Sequence, residues 1–132
     1  EIMRSDLPFM ERLGLVADEY FGRFIENPSI PRFVMSEIQR DVEHLMETAR
    51  AMNFDKVFSL IREALVSEME AGRMRRVPIY VVFTTFYGLM TFPFLTKNLY
   101  VSWFGMSDDD FRDMIVEWKQ YVLKQVGNIL LE

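Results

Sequence analysis

Val77-Pro78-Ile79-Tyr80-Val81-Val82-Phe83-Thr84-Thr85-Phe86-Tyr87-Gly88-Leu89-Met90-Thr91-Phe92-Pro93-Phe94-Leu95-Thr96 is the stretch whose reading decides the fold. Its 20 residues carry no formal charge, and Arg73, Arg75, Arg76 and Lys97 flank it. A membrane-spanning helix needs roughly 20 apolar residues, and flanking bases suit its anchors. A helix buried on all sides inside a bundle or a dimer has the same appearance. Pro93 near one end, Gly88 in the middle, and threonines at 84, 85, 91 and 96 speak against a lipid-facing span. The run would also be a lone span among plainly amphipathic helices. It is therefore read as a buried helix, with no membrane partner.

Outward from this run, every neighbouring segment has helical periodicity. Between Leu7 and Ile25, the apolar residues Phe9, Leu13, Val16, Tyr20 and Phe24 recur at three- and four-residue spacing, which makes one face of a helix. Ser5 or Asp6 is its expected cap, and Asn27-Pro28 its stop. Pro31 suits the first turn of a second helix carrying Phe33, Val34 and Ile38, which either runs on past Asp41 or breaks near it before Val42, Leu45 and Met46. A third long helix is expected from about Asn53, with Phe54, Val57, Phe58, Ile61, Leu65 and Met69 on one side and Gly72 as its stop. After the uncharged run, Ser107 and Asp110 have the spacing of a capping box, and Asp108 and Asp109 lie where the helix dipole favours negative charge. No strand pattern competes. The expected fold is an all-α antiparallel bundle of about five to six helices.

Composition narrows the function. The chain has 132 residues, half of them apolar, which suits a single domain over residues 1–132. A net charge of -5 lacks the basic footprint of a chain that grips phosphate backbones by itself. With no cysteine, thiolate metal sites, disulfides and cysteine nucleophiles are excluded. With His44 the only histidine, no glycine-rich phosphate loop and no credible Ser/His/Asp arrangement, no enzyme and no cofactor is expected. Ten methionines and nineteen aromatic residues, all large and adaptable, suit a cavity or an interface as well as a core.

Three segments carry a family resemblance. Tyr20-Phe21-Gly22-Arg23-Phe24-Ile25-Glu26-Asn27-Pro28 leads into Pro31-Arg32-Phe33-Val34-Met35-Ser36-Glu37-Ile38. Gly72, Pro78 and Gly88 punctuate the entry into the uncharged helix, and an amphipathic helix from Asp108 to Leu131 closes the chain. In this order they resemble the fifth to ninth helices of TetR-family transcriptional regulators, the C-terminal ligand-binding and dimerisation half. The resemblance implies a parent protein with an N-terminal helix-turn-helix, absent from this chain, that contacts operator DNA as a cytoplasmic homodimer. It also implies a ligand cavity among these helices and a seam made by the last two long helices.

The residues expected to line the cavity are Phe33, Phe54, Phe58, Ile61, Tyr80, Phe83, Thr84, Tyr87 and Met90, with Tyr80, Thr84 and Tyr87 offering hydroxyls to a small apolar or aromatic effector. Such stripes also serve as plain core. The last helix has two apolar flanks, and a helix packed only on its own domain needs one. Phe111, Met114, Ile115, Trp118, Tyr121, Val122, Gln125 and Ile129 are the expected seam, in a homodimer. Glu37, Asp41 and His44 are spaced like metal ligands on one helix, but a solvated face with an ordinary ion pair is the preferred reading. Arg73, Arg75 and Arg76 read as a solvated turn rather than a nucleic-acid patch. The competing function is a helical interaction module without a small ligand.

Overall fold

The computed structural model describes residues 7–51 and 54–131, with the side chain of Phe54 outside the description. Seven helices appear among the described residues: α1 (Phe9–Glu26), α2 (Ser29–Arg40), α3 (Val42–Ala51), α4 (Phe54–Glu70), α5 (Ile79–Leu95), α6 (Lys97–Phe104) and α7 (Asp108–Leu130). The fold is an all-α bundle. The helix count exceeds the expected five to six because the chain breaks at Asp41 and because α6 is a separate helix. The expected caps Ser5 and Asp6, and the expected helix start Asn53, lie outside the described residues.

Local chemistry sets most of the boundaries. Asp41 leaves the helical region at φ -160°, and its carboxylate accepts from the His44 backbone N–H, so it stops α2 and caps α3. α4 ends in a Schellman motif: Arg73 N–H donates to Glu68 C=O and Gly72 N–H to Met69 C=O, with Gly72 at φ +78°. At the start of α7 the capping box forms in both directions. Asp110 N–H donates to Ser107 Oγ at 3.1 Å, and Ser107 N–H to Asp110 Oδ2 at 3.0 Å.

α7 is the axis of the bundle. It runs antiparallel to α5, since Arg75 N–H reaches Leu130 C=O, Trp118 meets Leu89, and Phe111 meets Phe94. It is likewise antiparallel to α1: Gly14 lies against Leu123, and Lys119 pairs with Asp18 at 2.7 Å. The core is drawn from Phe9, Leu13, Val16, Ala17 and Phe21 of α1; Ile61, Leu65 and Met69 of α4; Val82, Phe86, Met90 and Phe94 of α5; and Phe111, Ile115, Val122, Val126 and Leu130 of α7. Each large apolar side chain among these, fully buried, contributes about 1.5–3 kcal/mol of transfer free energy.

The uncharged run becomes the 17-residue α5, and the chain turns by 59° into α6. No single helix among the described residues is long and apolar enough to cross a membrane. α5 also continues through Pro93, which has no N–H to donate to the Leu89 carbonyl four residues back. The Trp118 indole Nε1–H takes that place, donating to Leu89 C=O at 2.9 Å. A helix–helix hydrogen bond thus replaces the missing backbone one.

Candidate functional site

The outer side of the α5–α7 pair is the first candidate surface. α7 turns Phe111, Ile115 and Val122 fully into the chain's own core, so these three of the expected seam residues lie inside the monomer. Met114, Trp118, Tyr121 and Gln125, at spacings of four, three and four, form the neighbouring flank. Of these, Met114 and Trp118 are half-buried and Tyr121 and Gln125 are exposed; Ile129 is half-buried nearer the core-facing side. The Trp118 ring stacks on Tyr121 at 6.2 Å. Its bond to Leu89 ties this flank to α5; by helical spacing Thr85, Gly88, Leu89 and Phe92 share one side of α5, and Phe92 is exposed. Gly88 has open space around it, so another backbone can approach there.

The expected cavity residues are dispersed. Ile61 and Met90 belong to the packed core. Phe33 on α2 is 59% exposed, Tyr80 71%, and Thr84 is also exposed. Phe58 and Phe83 meet edge to face at 5.7 Å, and Phe83 touches Tyr87 at 4.9 Å. Tyr87 then meets Tyr20 of α1 at 5.6 Å. The structure brings Phe58, Phe83 and Tyr87 together, with partly exposed rings that contact one another.

Those rings begin a longer row. Tyr20 meets Phe24, Phe24 meets Phe94, Phe94 meets Phe111, and Phe111 meets Tyr100, all between 5.2 and 6.0 Å. The α1 stripe by itself assigns Tyr20 and Phe24 only to a core-facing side. The parallel placement of α1 beside α5 is what joins them to Tyr87 and Phe94. Burial pushes the Tyr87 phenol well above the usual tyrosine value, and the adjacent Tyr20 phenol pushes it the same way.

Two depressions open elsewhere. One, of about 370 Å³, lies between the end of α4 and the start of α5, lined by Val66, Met69, Glu70, Arg76, Val77, Pro78 and Ile79. The other, of about 150 Å³, lies where the end of α1 meets the starts of α6 and α7, over Phe24, Phe94 and Phe111. Neither is lined by any of the expected cavity residues. Sequence periodicity could not reveal them, because each is formed at helix ends.

The charged clusters are largely paired. Glu37 is buried and held by Arg40 through Nε at 3.0 Å and Nη2 at 2.8 Å. Because Asp41 is the hinge, Glu37 and His44 lie on different helices, and no metal-holding group of His, Asp or Glu occurs among the described residues. Arg73 binds Glu68 with two hydrogen bonds of 2.9 Å, which hold that carboxyl below the usual carboxylate range. Asp108 pairs with Lys97 at 3.0 Å and Asp109 with Arg112 at 3.3 Å. Compared with known proteins, the chain matches no protein-family model, no curated protein and no solved structure.

Proposed function

We propose that this chain is the effector-binding and dimerising regulatory domain of a TetR-like transcriptional regulator, working in the cytoplasm as a homodimer. Ligand state would be relayed by a population shift. An apolar or aromatic effector held against Phe58, Phe83 and Tyr87 favours one arrangement of the helices, which resets the spacing of two attached DNA-reading heads. The effector must bind the two arrangements unequally, or nothing moves. No catalytic role is proposed for any residue.

One observation carries this reading: the two long helices α5 and α7 satisfy the core with one side each and leave large apolar residues, Phe92 and Tyr121 among them, exposed on another. Met114, Trp118, Tyr121 and Gln125 share one side of α7, Thr85, Gly88, Leu89 and Phe92 share one side of α5, and the Trp118–Leu89 bond joins the two helices; large apolar residues with a glycine among them suit a helix–helix seam. Sedimentation equilibrium of the wild-type chain and of Tyr121→Glu tests it. Tyr121 is the better site than Trp118, whose indole also holds α5 to α7. A wild-type dimer at tens of micromolar that Tyr121→Glu splits supports the reading; a wild-type monomer there removes it.

The second reading, an interaction module without a small ligand, is favoured by the way Phe58, Phe83 and Tyr87 fill space by touching one another. A dimer whose melting temperature no apolar or aromatic compound raises would select it.

A further inference from the structure

The smaller depression combines features that the surfaces above lack. Its floor is three aromatic rings in series: Phe24 meets Phe94 edge-on at 5.2 Å, and Phe94 meets Phe111 at 5.6 Å. Ile25 and Pro28 complete the apolar wall, and Lys97, Asp108 and Arg112 supply its charged lining. Lys97 Nζ lies 5.2 Å from the centre of the Phe111 ring. Its partner Asp108 is 83% exposed, so the carboxylate already on Lys97 reaches in from solvent. An exposed pair of this kind is easily exchanged for another carboxylate. Its volume of about 150 Å³ leaves room for a single benzene-sized ring.

We infer that this depression binds a small aromatic carboxylate, its ring on Phe24, Phe94 and Phe111 and its carboxylate on Lys97 in place of Asp108. Arg112 also lines the depression, its charge offset by Asp109. The site differs from the Phe58–Phe83–Tyr87 surface and does not depend on dimerisation.

The test is an amide NMR titration of the whole chain with benzoate, and in parallel with neutral benzamide. Benzoate is expected to shift the amides of Phe24, Lys97 and Phe111 with a Kd on the order of 1 mM, the range of a good fragment. Benzamide is expected to bind about tenfold more weakly, since it lacks the charge that Lys97 pairs with. Asp108→Asn removes the competing carboxylate and is expected to tighten benzoate binding about twofold to fivefold. Lys97→Met is expected to weaken it about tenfold. Absence of localised shifts, equal binding of benzamide, or an Asp108→Asn variant with unchanged or weaker affinity would each overturn the assignment. The benzoate and benzamide comparison needs no variant, so it decides the matter even where Lys97→Met disturbs the fold.

Discussion

The α2–α3 pair and α5 are all helical, yet amphipathic character and burial run in opposite directions between them. α2 is the most strongly amphipathic helix, but its only buried residues are Pro31 and Glu37, and α3 buries none. Phe33, Ile38, Val42 and Met46 are all exposed. α5 has almost no amphipathic character, yet it places Val82, Phe86, Met90 and Phe94 in the core at four-residue steps. An apolar stripe says which side of a helix prefers to be covered. It does not say that anything within the same chain covers it.

The largest effect that would break this comparison is in the core itself. Ile115→Ala in α7 is expected to cost about 2–5 kcal/mol, because the side chain is enclosed and its removal leaves a cavity. Met46→Ala in α3 is expected to cost no more than about 1 kcal/mol, as the residue is already 43% exposed. Urea denaturation of both variants checks the contrast. Similar losses in both would mean that α3 is held far more firmly than its exposure implies. Hydrogen exchange sharpens the same point: α3 amides should open locally, and α7 amides only with global unfolding.

The joint between α5 and α7 provides the next effect. Trp118→Phe removes the donor that serves Leu89 C=O and is expected to cost about 1–3 kcal/mol. Pro93→Ala restores a backbone N–H at the position that normally serves that carbonyl. The Trp118→Phe loss should therefore shrink in a Pro93→Ala background, and a double-mutant cycle reads the coupling. Strict additivity would show that the indole does not substitute for the missing bond.

Smaller near neutral pH, but steep in alkali, is the contribution of Tyr87. Its phenol is raised in the folded state, so above the ordinary tyrosine value the unfolded chain loses a proton that the folded chain keeps. The contribution is complete below about pH 10 and declines as pH rises further, by at most about 1.4 kcal/mol per pH unit. Tyr87→Phe should flatten stability measured between about pH 9.5 and 11 by up to that slope. An unchanged slope would place the titrating group elsewhere.

The smallest effects separate a free helix face from a seam. Gly22 in α1 and Gly88 in α5 are both exposed and mid-helix, with open space where a Cβ would stand. Ala at either site is expected to stabilise the monomer by about 0.5–1 kcal/mol through helix propensity. If the α5–α7 flank is a seam, Gly88→Ala should also weaken self-association while Gly22→Ala leaves it unchanged. Sedimentation at several concentrations distinguishes them, and identical behaviour would count against Gly88 lying in a close contact.

Much of this architecture is set within a few residues of each boundary. The all-α class, the Gly72 stop and the Ser107–Asp110 box follow from dihedral preferences and side chain–backbone hydrogen bonds that act locally, whereas the break at Asp41, left open in the sequence, is decided in the structure. α6 is not legible as a separate helix, because Lys97 to Phe104 shows no stripe distinct from the uncharged run before it. The division of α7 into a core side and an outer flank is only half legible. Its sequence has both flanks, but the direction of Phe111, Ile115 and Val122 depends on where α1 and α5 lie. The same holds for the aromatic row, whose contacts join rings on separate helices, and for the depression over Phe24, Phe94 and Phe111, built at helix ends. Periodicity determined which residues could be neighbours along one helix; only packing decided which rings meet across helices, which apolar faces remain uncovered, and which carbonyl Trp118 serves. Those outcomes depend on contacts between residues far apart in the chain, where no local preference acts.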